Sequence, residues 1–250
     1  MLKKRNILTV IIITAILVTS AALTAFTNQK GALSVYVDKL FTRQQKNQIK
    51  TSAAPAKKTL ASVQGTAVTQ EQNKPLSQVL NDKGITSLNT GLKIVVTKSQ
   101  HTLALVYNGT TLKTYHVELG SGGSGDKQVE GDKKTPEGTF FIGDKKILDP
   151  PDYYLGTRWM GISYPSPLDA RRGLQEGFID RQTYNEIVND FDSGKLPPQE
   201  TALGGEVGIH GGSVPGFGPD WTWGCVGLAN SDIEDFFNYI AVGTPVIIQK

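Results

Sequence analysis

Residues 92–119 have the sequence LKIVVTKSQHTLALVYNGTTLKTYHVEL, which gives the clearest indication of the fold class. Its apolar and alternating runs predict three short strands, with Asn108-Gly109 as a hairpin turn before the third. Further along the chain, GTFFIG at 138–143 and TPVIIQ at 244–249 predict two more strands. The three strands of the first stretch are predicted at Leu92–Thr97, Thr102–Tyr107 and Leu112–Leu119.

Helical patterns are fewer in this part of the chain. Arg171–Phe191 favours helix in part, most strongly over Ile179–Phe191. Ser231-Asp232-Ile233-Glu234 has the form of a capping box, which predicts a helix running to about Ile240. Because strands outnumber helices, we predict a mostly-β domain over residues 91–250 with one or two appended helices.

The composition excludes several classes of protein. With 38% apolar and 20% charged residues, the chain is not disordered throughout. A single cysteine excludes an internal disulfide framework and any Cys-rich metal or iron–sulfur site. Residues 27–90 carry nine basic and three acidic side chains, whereas residues 91–250 carry 14 basic and 20 acidic ones. The acidic second part is a poor candidate for binding nucleic acid.

The N-terminus has the pattern of a targeting segment. Lys3, Lys4 and Arg5 precede an uncharged run, Ile7–Phe26, which is long enough to cross a bilayer as a helix. Basic residues ahead of such a run stay in the cytoplasm, so the rest of the chain is expected outside. Residues 1–26 are therefore predicted to be a membrane anchor or a cleaved signal peptide, and Ser20-Ala21-Ala22 offers small residues for cleavage.

Residues 27–90 are predicted to form a basic stalk. Ala32–Ile49 has the apolar spacing of one amphipathic helix, and from Lys50 to about Leu88 the composition is that of an unfolded linker. The basic side chains of this stalk are either simply solvated or rest on anionic membrane or cell-wall polymer.

Cys225 and His210 are the candidate reactive residues. Cys225 is the only cysteine and follows Gly224, which allows a sharp turn that can aim consecutive N–H groups at one point. His210 lies fifteen residues upstream, at the end of a short predicted strand and before Gly211. A Cys–His pair is the minimum for thiol acyl transfer, although a buried structural cysteine with an unrelated histidine fits the same spacing. His101 and His116 are expected to be surface or packing residues, and no metal site is expected.

From about Leu92 to Lys250 the chain resembles an L,D-transpeptidase catalytic domain, the cysteine enzymes that remodel peptidoglycan. The resemblance implies a β-sandwich or barrel and an extracytoplasmic location in the cell envelope. The features that carry it are the opening strand pair, DKKTPEG at 132–138, His210-Gly211 with Gly224-Cys225 fifteen residues on, Asp220-Trp221-Thr222, and Asn230 with the capped helix.

The resemblance also implies the chemistry. Cys225 would be the nucleophile and His210 the general base, oriented by a backbone carbonyl near Gly211. The N–H groups of Trp223, Gly224 and Cys225 would form the oxyanion hole. The donor would be a peptidoglycan stem peptide, cut before its terminal D-alanine. The acyl group would pass to a stem amine, a wall-attached protein or a D-amino acid, with no cofactor or metal. With water as the acceptor, the same site would be a carboxypeptidase or an amidase that releases wall-bound protein.

The chain departs from the commonest family pattern, which has Ser-His before Gly-Cys and an arginine two residues after the cysteine. Those positions hold Thr222, Trp223 and Gly227 here, and the missing arginine leaves open which stem is recognised. Residues 150–206 are expected to form a lid over the site. Candidate substrate contacts are Trp221, Thr222, Arg171 and Arg172.

Two rival functions remain open at this point. Sortases also pair an exported Cys and His, but they use an arginine shortly after the cysteine, and the only basic residue after Cys225 is Lys250. A catalytically silent wall-binding module is the rival from a different class.

Overall fold

The computed structural model describes residues 74–88, 90–213 and 216–250. The predicted targeting segment and the predicted amphipathic helix at 32–49 lie outside these residues. Within the three described ranges, no helix is long and apolar enough to cross a membrane.

In the described residues, eight strands form one mixed sheet in the spatial order β3-β2-β1-β8-β4-β5-β6-β7. The parallel neighbours are β1 with β8 and β6 with β7, and the other neighbours are antiparallel. The strands are β1 (Leu92–Thr97), β2 (Thr102–Tyr107), β3 (Thr110–His116), β4 (Gly138–Asp152), β5 (Gly156–Ile162), β6 (Gly208–His210), β7 (Val226–Gly227) and β8 (Pro245–Gln249).

The sheet curls until its two ends meet. After β3 the chain continues to Glu118, which exchanges backbone hydrogen bonds with Gly227 of β7 at 2.9 and 2.8 Å. A second bridge joins Gly120 to Thr222. These contacts bring the segment around Cys225 between the last strand and the continuation of β3. The inward residues of β1, such as Ile94 and Val96, are fully buried in the main core.

Four α-helices accompany the sheet in the described residues, more than the one or two predicted. They are α1 (Leu76–Asp82), α2 (Pro167–Gln175), α3 (Arg181–Asp192) and α4 (Asn230–Phe237). The predicted capping box before α4 is wrong: the cap residue is Ala229, with no side-chain capping bond, and the helix ends at Phe237. The helix begins two residues earlier than predicted, so Ser231, the predicted cap residue, already lies inside it.

Helix α1 corrects the prediction that the linker runs unfolded to about Leu88. Leu76, Val79 and Leu80 lie on one face of the helix and are buried, and Leu88 is buried as well. The Leu76 N–H donates to Asp235 Oδ1 of α4 at 2.9 Å. Residues 76–88 therefore belong to the folded domain, because their few apolar side chains complete its core.

The predicted lid at 150–206 is corrected in its first part. Strand β5 lies inside the sheet, pairing with β4 on one side and with β6 on the other. The later part contains α2 and α3, which share a small separate core of Ala170, Ile179, Ile187 and Leu203. Ser166 opens α2 with a true capping box, accepting from the Asp169 N–H while Asp169 accepts from the Ser166 N–H.

Candidate active site

The sheet brings His210 and Cys225 to neighbouring strands. His210 is the last residue of β6, and Cys225 directly precedes β7. The two strands are parallel, with His210 opposite Gly227 and Ile209 opposite Val226. The Leu228 N–H donates to the His210 carbonyl at 2.8 Å, which fixes the register beyond the strand.

The His210 ring is fully buried, and its hydrogen bonding defines its tautomer. Nδ1 lies 2.8 Å from the Gly211 carbonyl oxygen. Because a carbonyl oxygen only accepts, Nδ1 carries the proton and Nε2 presents its lone pair. Nε2 is buried and has no hydrogen-bond partner among the described residues. Burial lowers the pKa of His210 to about 4, so the ring is neutral at pH 7.

Aromatic side chains surround the His210 ring. Tyr154, Trp159 and Trp221 have ring centroids 5.5, 6.1 and 5.6 Å from that of His210. Trp159 stacks on it, while Trp221 meets it edge to face. This apolar enclosure excludes water from the imidazole and holds the ring orientation set by the Gly211 carbonyl.

The Cys225 thiol is also buried. Sγ lies 3.7 Å from the Glu206 carbonyl oxygen, to which it donates. Burial raises the pKa of the thiol to about 11, so it is protonated at neutral pH. Glu206 also lines a cavity of about 380 Å³ whose walls include Glu130 and Glu200. With the thiol on Glu206 and Nε2 unpartnered, the direct Cys–His hydrogen bond is not formed in this arrangement.

The turn before Cys225 is held by Thr222 and permitted by Gly224. The buried Thr222 hydroxyl donates to the Cys225 carbonyl at 2.7 Å and accepts from the Gly224 N–H at 3.2 Å. Gly224 has φ +127°, a conformation that favours glycine, and a Cβ there would lie 2.9 Å from the Lys134 carbonyl oxygen. The sharp turn expected from the Gly-Cys pair is therefore present.

Two of the three expected oxyanion donors have partners inside the protein. The Gly224 N–H donates to Thr222, and the Trp223 N–H donates to the Tyr154 hydroxyl oxygen at 2.8 Å. Tyr154 uses its oxygen as the acceptor here, so its own O–H is available to donate elsewhere. The Trp223 side chain is 71% exposed, beside the buried cysteine.

A family model for the L,D-transpeptidase catalytic domain (YkuD) matches residues 92–248. The chain belongs to the L,D-transpeptidase family. Domains of this family act on peptidoglycan in the cell envelope, and the mostly-β sheet with its four helices is consistent with their fold.

Three solved structures similar to this L,D-transpeptidase domain are the following. A protein of Bdellovibrio bacteriovorus is 23% identical, with 63% of this chain and 47% of that one covered and a TM-score of 0.41. The helical cell shape determining protein Pgp2 of Campylobacter jejuni is 20% identical (70% and 55% covered, TM-score 0.43). An L,D-transpeptidase of Xylanimonas cellulosilytica is 15% identical (70% and 70%, 0.37).

The chain spans about half the length of the first two of these proteins. Among curated proteins, no match was found.

In this L,D-transpeptidase domain, most of the sequence-predicted site residues lie together. Cys225, His210 and Gly211 share the β6–β7 end of the sheet with Trp221, Thr222, Trp223 and Gly224. Arg171 and Arg172 are instead on α2. The Arg172 guanidinium donates to the Gln128 carbonyl at 3.0 Å and to Glu176 at 3.2 Å, which ties α2 to the loop before β4.

No group of three or more His, Cys, Asp or Glu side chains in the described ranges is placed to hold a metal ion. His101 and His116 each have a carboxylate partner, Asp220 and Glu118, at 2.9 Å. Asp220 reaches His101 from a distant part of the chain, whereas Glu118 lies only two residues from His116.

Tyr154 and Asn230 border the candidate site, and the sequence did not single out either as a site residue. Tyr154 comes from the β4–β5 turn, in the segment predicted to be a lid, and no spacing motif marks it. Asn230 was noted only as part of the family resemblance, although its side chain contacts the backbone on both sides of the site.

Proposed function

We propose that the chain is a cysteine-dependent acyltransferase that acts on peptidoglycan stem peptides. The observation that carries this proposal is the state of His210. Its imidazole is buried and neutral, with Nδ1 bonded to the Gly211 carbonyl and Nε2 without a partner among the described residues. It ends β6, and the only cysteine of the sequence directly precedes the neighbouring strand β7. A base with a free, oriented Nε2 is what deprotonation of a thiol requires.

Acylation begins when the Cys225 side chain turns from the Glu206 carbonyl to His210. Nε2 takes the thiol proton as sulfur attacks the carbonyl carbon between the third stem residue and D-alanine. The tetrahedral intermediate collapses, the C–N bond breaks, and the imidazolium gives its proton to the leaving amine. D-Alanine departs and a thioester remains on Cys225.

Deacylation uses the same groups in reverse. An acceptor amine attacks the thioester carbonyl, and His210 takes the amine proton as the C–N bond forms. The C–S bond then breaks, and the imidazolium returns its proton to the sulfur. A stem amine as the acceptor gives a 3–3 cross-link. A protein amine gives a wall-attached protein, and a D-amino acid replaces the terminal D-alanine. Water gives a stem shortened by one residue.

The oxyanion is stabilised, in this proposal, by the Cys225 N–H and the Tyr154 hydroxyl. The N–H groups of Trp223 and Gly224 act indirectly, since their present hydrogen bonds hold Tyr154 and Thr222 in place. This differs from the three consecutive N–H groups expected from sequence. Trp221, Arg171 and Arg172 remain proposed substrate contacts.

We also propose that residues 1–26 export the domain and hold it at the membrane, with residues 27 to about 73 as the stalk. The basic residues ahead of the uncharged run at 7–26 support this orientation. Fractionation of cells expressing the full chain, with N-terminal sequencing of the recovered protein, separates an anchored form from a cleaved one.

The function is tested by incubating the full chain with purified muropeptides and reading the products by mass spectrometry, with Cys225→Ala as the inactive control. A 3–3 dimer shows transpeptidation, and loss of D-alanine alone shows carboxypeptidation. Either product from the Cys225→Ala variant contradicts the thiol mechanism. No product, and no covalent adduct of Cys225 with a carbapenem, indicates a silent wall-binding module instead.

A further inference from the structure

Asn230 places one amide oxygen between two backbone segments that border the site. It is the first residue of α4, five residues after Cys225. Its Oδ1 accepts the Gly212 N–H at 2.9 Å and the Thr157 N–H at 3.1 Å. A side chain at the start of a helix commonly bonds the helix's own N–H groups, whereas this one bonds two segments distant in sequence.

The first segment, at Gly212, is part of the backbone that orients the His210 ring. Gly212 directly follows Gly211, whose carbonyl oxygen accepts the His210 Nδ1 proton. Holding the Gly212 N–H fixes the peptide unit between Gly211 and Gly212, which contains that carbonyl. Because the N–H and the carbonyl of one peptide unit are rigidly coplanar, a bond to the N–H also sets the direction of the carbonyl.

The second segment, at Thr157, lies close to Tyr154, which contacts the turn before Cys225. Thr157 is the second residue of β5 and lies three residues after Tyr154, whose hydroxyl accepts the Trp223 N–H. The Tyr154 carbonyl oxygen is so close to Gly212 that a Cβ there would lie 2.3 Å from it. One oxygen of Asn230 therefore joins the chain next to the base to the chain next to Tyr154.

The backbone is shaped around this oxygen. A Cβ added to Gly156 or to Gly211 would lie 2.1 or 2.2 Å from Asn230 Oδ1. Such separations are impossible for real atoms, so both glycines are required by the approach of the amide. The hydrogen bonds of Asn230 therefore depend on glycine at positions 156 and 211 as well as on Asn230 itself.

We infer that Asn230 is a positioning residue, which aims the His210 imidazole through the Gly211–Gly212 peptide unit and keeps Tyr154 in register with the Cys225 turn. The expected effect on kcat rests on the proposed function, whereas the expected effect on the orientation of the His210 ring does not. Asn230 does not touch the reacting atoms, so its loss is expected to lower kcat more than it raises KM.

The test uses the full chain with Asn230→Ala, Asn230→Asp and, as a matched control, Asn238→Ala at the exposed C-terminal end of the same helix. Muropeptide turnover gives kcat and KM. NMR spectra of the histidine ring protons report the imidazole directly. The chain has only three histidines, so the His210 signals are assigned by their loss in His210→Ala.

Asn230→Ala is expected to shift or broaden the His210 signals, leave those of His101 and His116 in place, and lower kcat about 10- to 100-fold with KM nearly unchanged. Asn230→Asp keeps an acceptor oxygen, so its His210 signals and most of its kcat should be retained. Asn238→Ala should resemble the wild type in both measurements.

Unchanged His210 signals in Asn230→Ala, or equal losses in the Ala and Asp variants, would overturn the inference. If Asn230→Ala does not fold, Asn230→Ser replaces it, because its shorter side chain cannot reach both N–H groups and should move the same signals. The NMR measurement needs no substrate. Failure of the wild type to convert muropeptides would therefore count against the proposed function and not against this inference.

Discussion

His210 and Cys225 are both buried, and burial moves their pKa values in opposite directions, to about 4 and about 11. At neutral pH the pair consists of a neutral imidazole and a protonated thiol. The ring is oriented by a carbonyl oxygen, with no carboxylate hydrogen-bonded to it. The proposed reaction therefore depends on transfer of the thiol proton during attack, which a thiol permits far more easily than an alcohol because its pKa is lower.

This pairing predicts that Cys225→Ser and His210→Ala each lose nearly all muropeptide turnover while the fold survives. Serine keeps the shape but is too weak an acid for this base, and alanine removes the base. Because the two residues act as a unit, the double variant should be hardly slower than either single one. Turnover is measured by mass spectrometry and folding by circular dichroism. Substantial activity in Cys225→Ser would show that the chemistry lies elsewhere.

Thr222→Ala and Trp223→Ala give the graded comparison. Both keep the backbone N–H groups of the turn, so each should be slower than the wild type but faster than the Cys225 and His210 variants. Thr222→Ala should be the slower of the two, since it loses the hydroxyl bonds to the Cys225 carbonyl and the Gly224 N–H. A wild-type rate in Thr222→Ala would mean that these bonds do not hold the turn.

Among the elements, the strands with regular alternation were the most predictable. The bounds of β1 and β2 agree with those predicted from sequence, because their buried faces alternate with less buried ones. Strand β4 continues to Asp152, beyond the predicted Gly143, since it pairs with β5 in a long hairpin. That pairing has no apolar alternation in the sequence and so could not be foreseen.

Helix α1 shows why the remaining elements were missed. It has seven residues, too few for a periodic pattern to stand out from a polar linker. Its burial depends on Tyr115 and Lys113 of β3 and on Asp235 of α4, and these three side chains form one hydrogen-bonded cluster. The site follows the same rule. His210 and Cys225 could be proposed from their glycine neighbours, whereas Tyr154 and Asn230 approach them only through the tertiary fold.

Leu76→Ala tests whether α1 is part of the domain. Leu76 is fully buried in the main core, and truncating such a side chain costs about 2–5 kcal/mol of unfolding free energy. Gln78→Ala, on the exposed side of the same helix, is the control and should change the unfolding free energy little. Urea unfolding of the full chain measures both. Equal stabilities for the two variants would place α1 outside the cooperative unit.

At the scale of the whole molecule, closure of the curled sheet buries a titratable base, and this couples folding to pH. The closed fold brings the rings of Tyr154, Trp159 and Trp221 around His210, which has no exposed surface. Its pKa is about 4 in the folded protein, against 6.5 for a free side chain. The unfolded chain therefore binds a proton more readily than the folded one between these two values.

We expect the stabilising contribution of neutral His210 to the free energy of unfolding to be fully present above about pH 6.5. This contribution is lost as the pH falls toward 4. The full effect of a shift from 6.5 to about 4 is about 3 kcal/mol. His210→Gln removes the titration, so its unfolding free energy should depend less on pH over this window. Carboxylates that titrate in the same pH range, such as Asp169, whose pKa is raised by burial, are common to both proteins and cancel in the difference. Urea unfolding of the two chains at pH 7, 6, 5 and 4 measures that difference. Parallel curves would mean that His210 is solvated enough in the folded state to accept a proton at no cost to the fold.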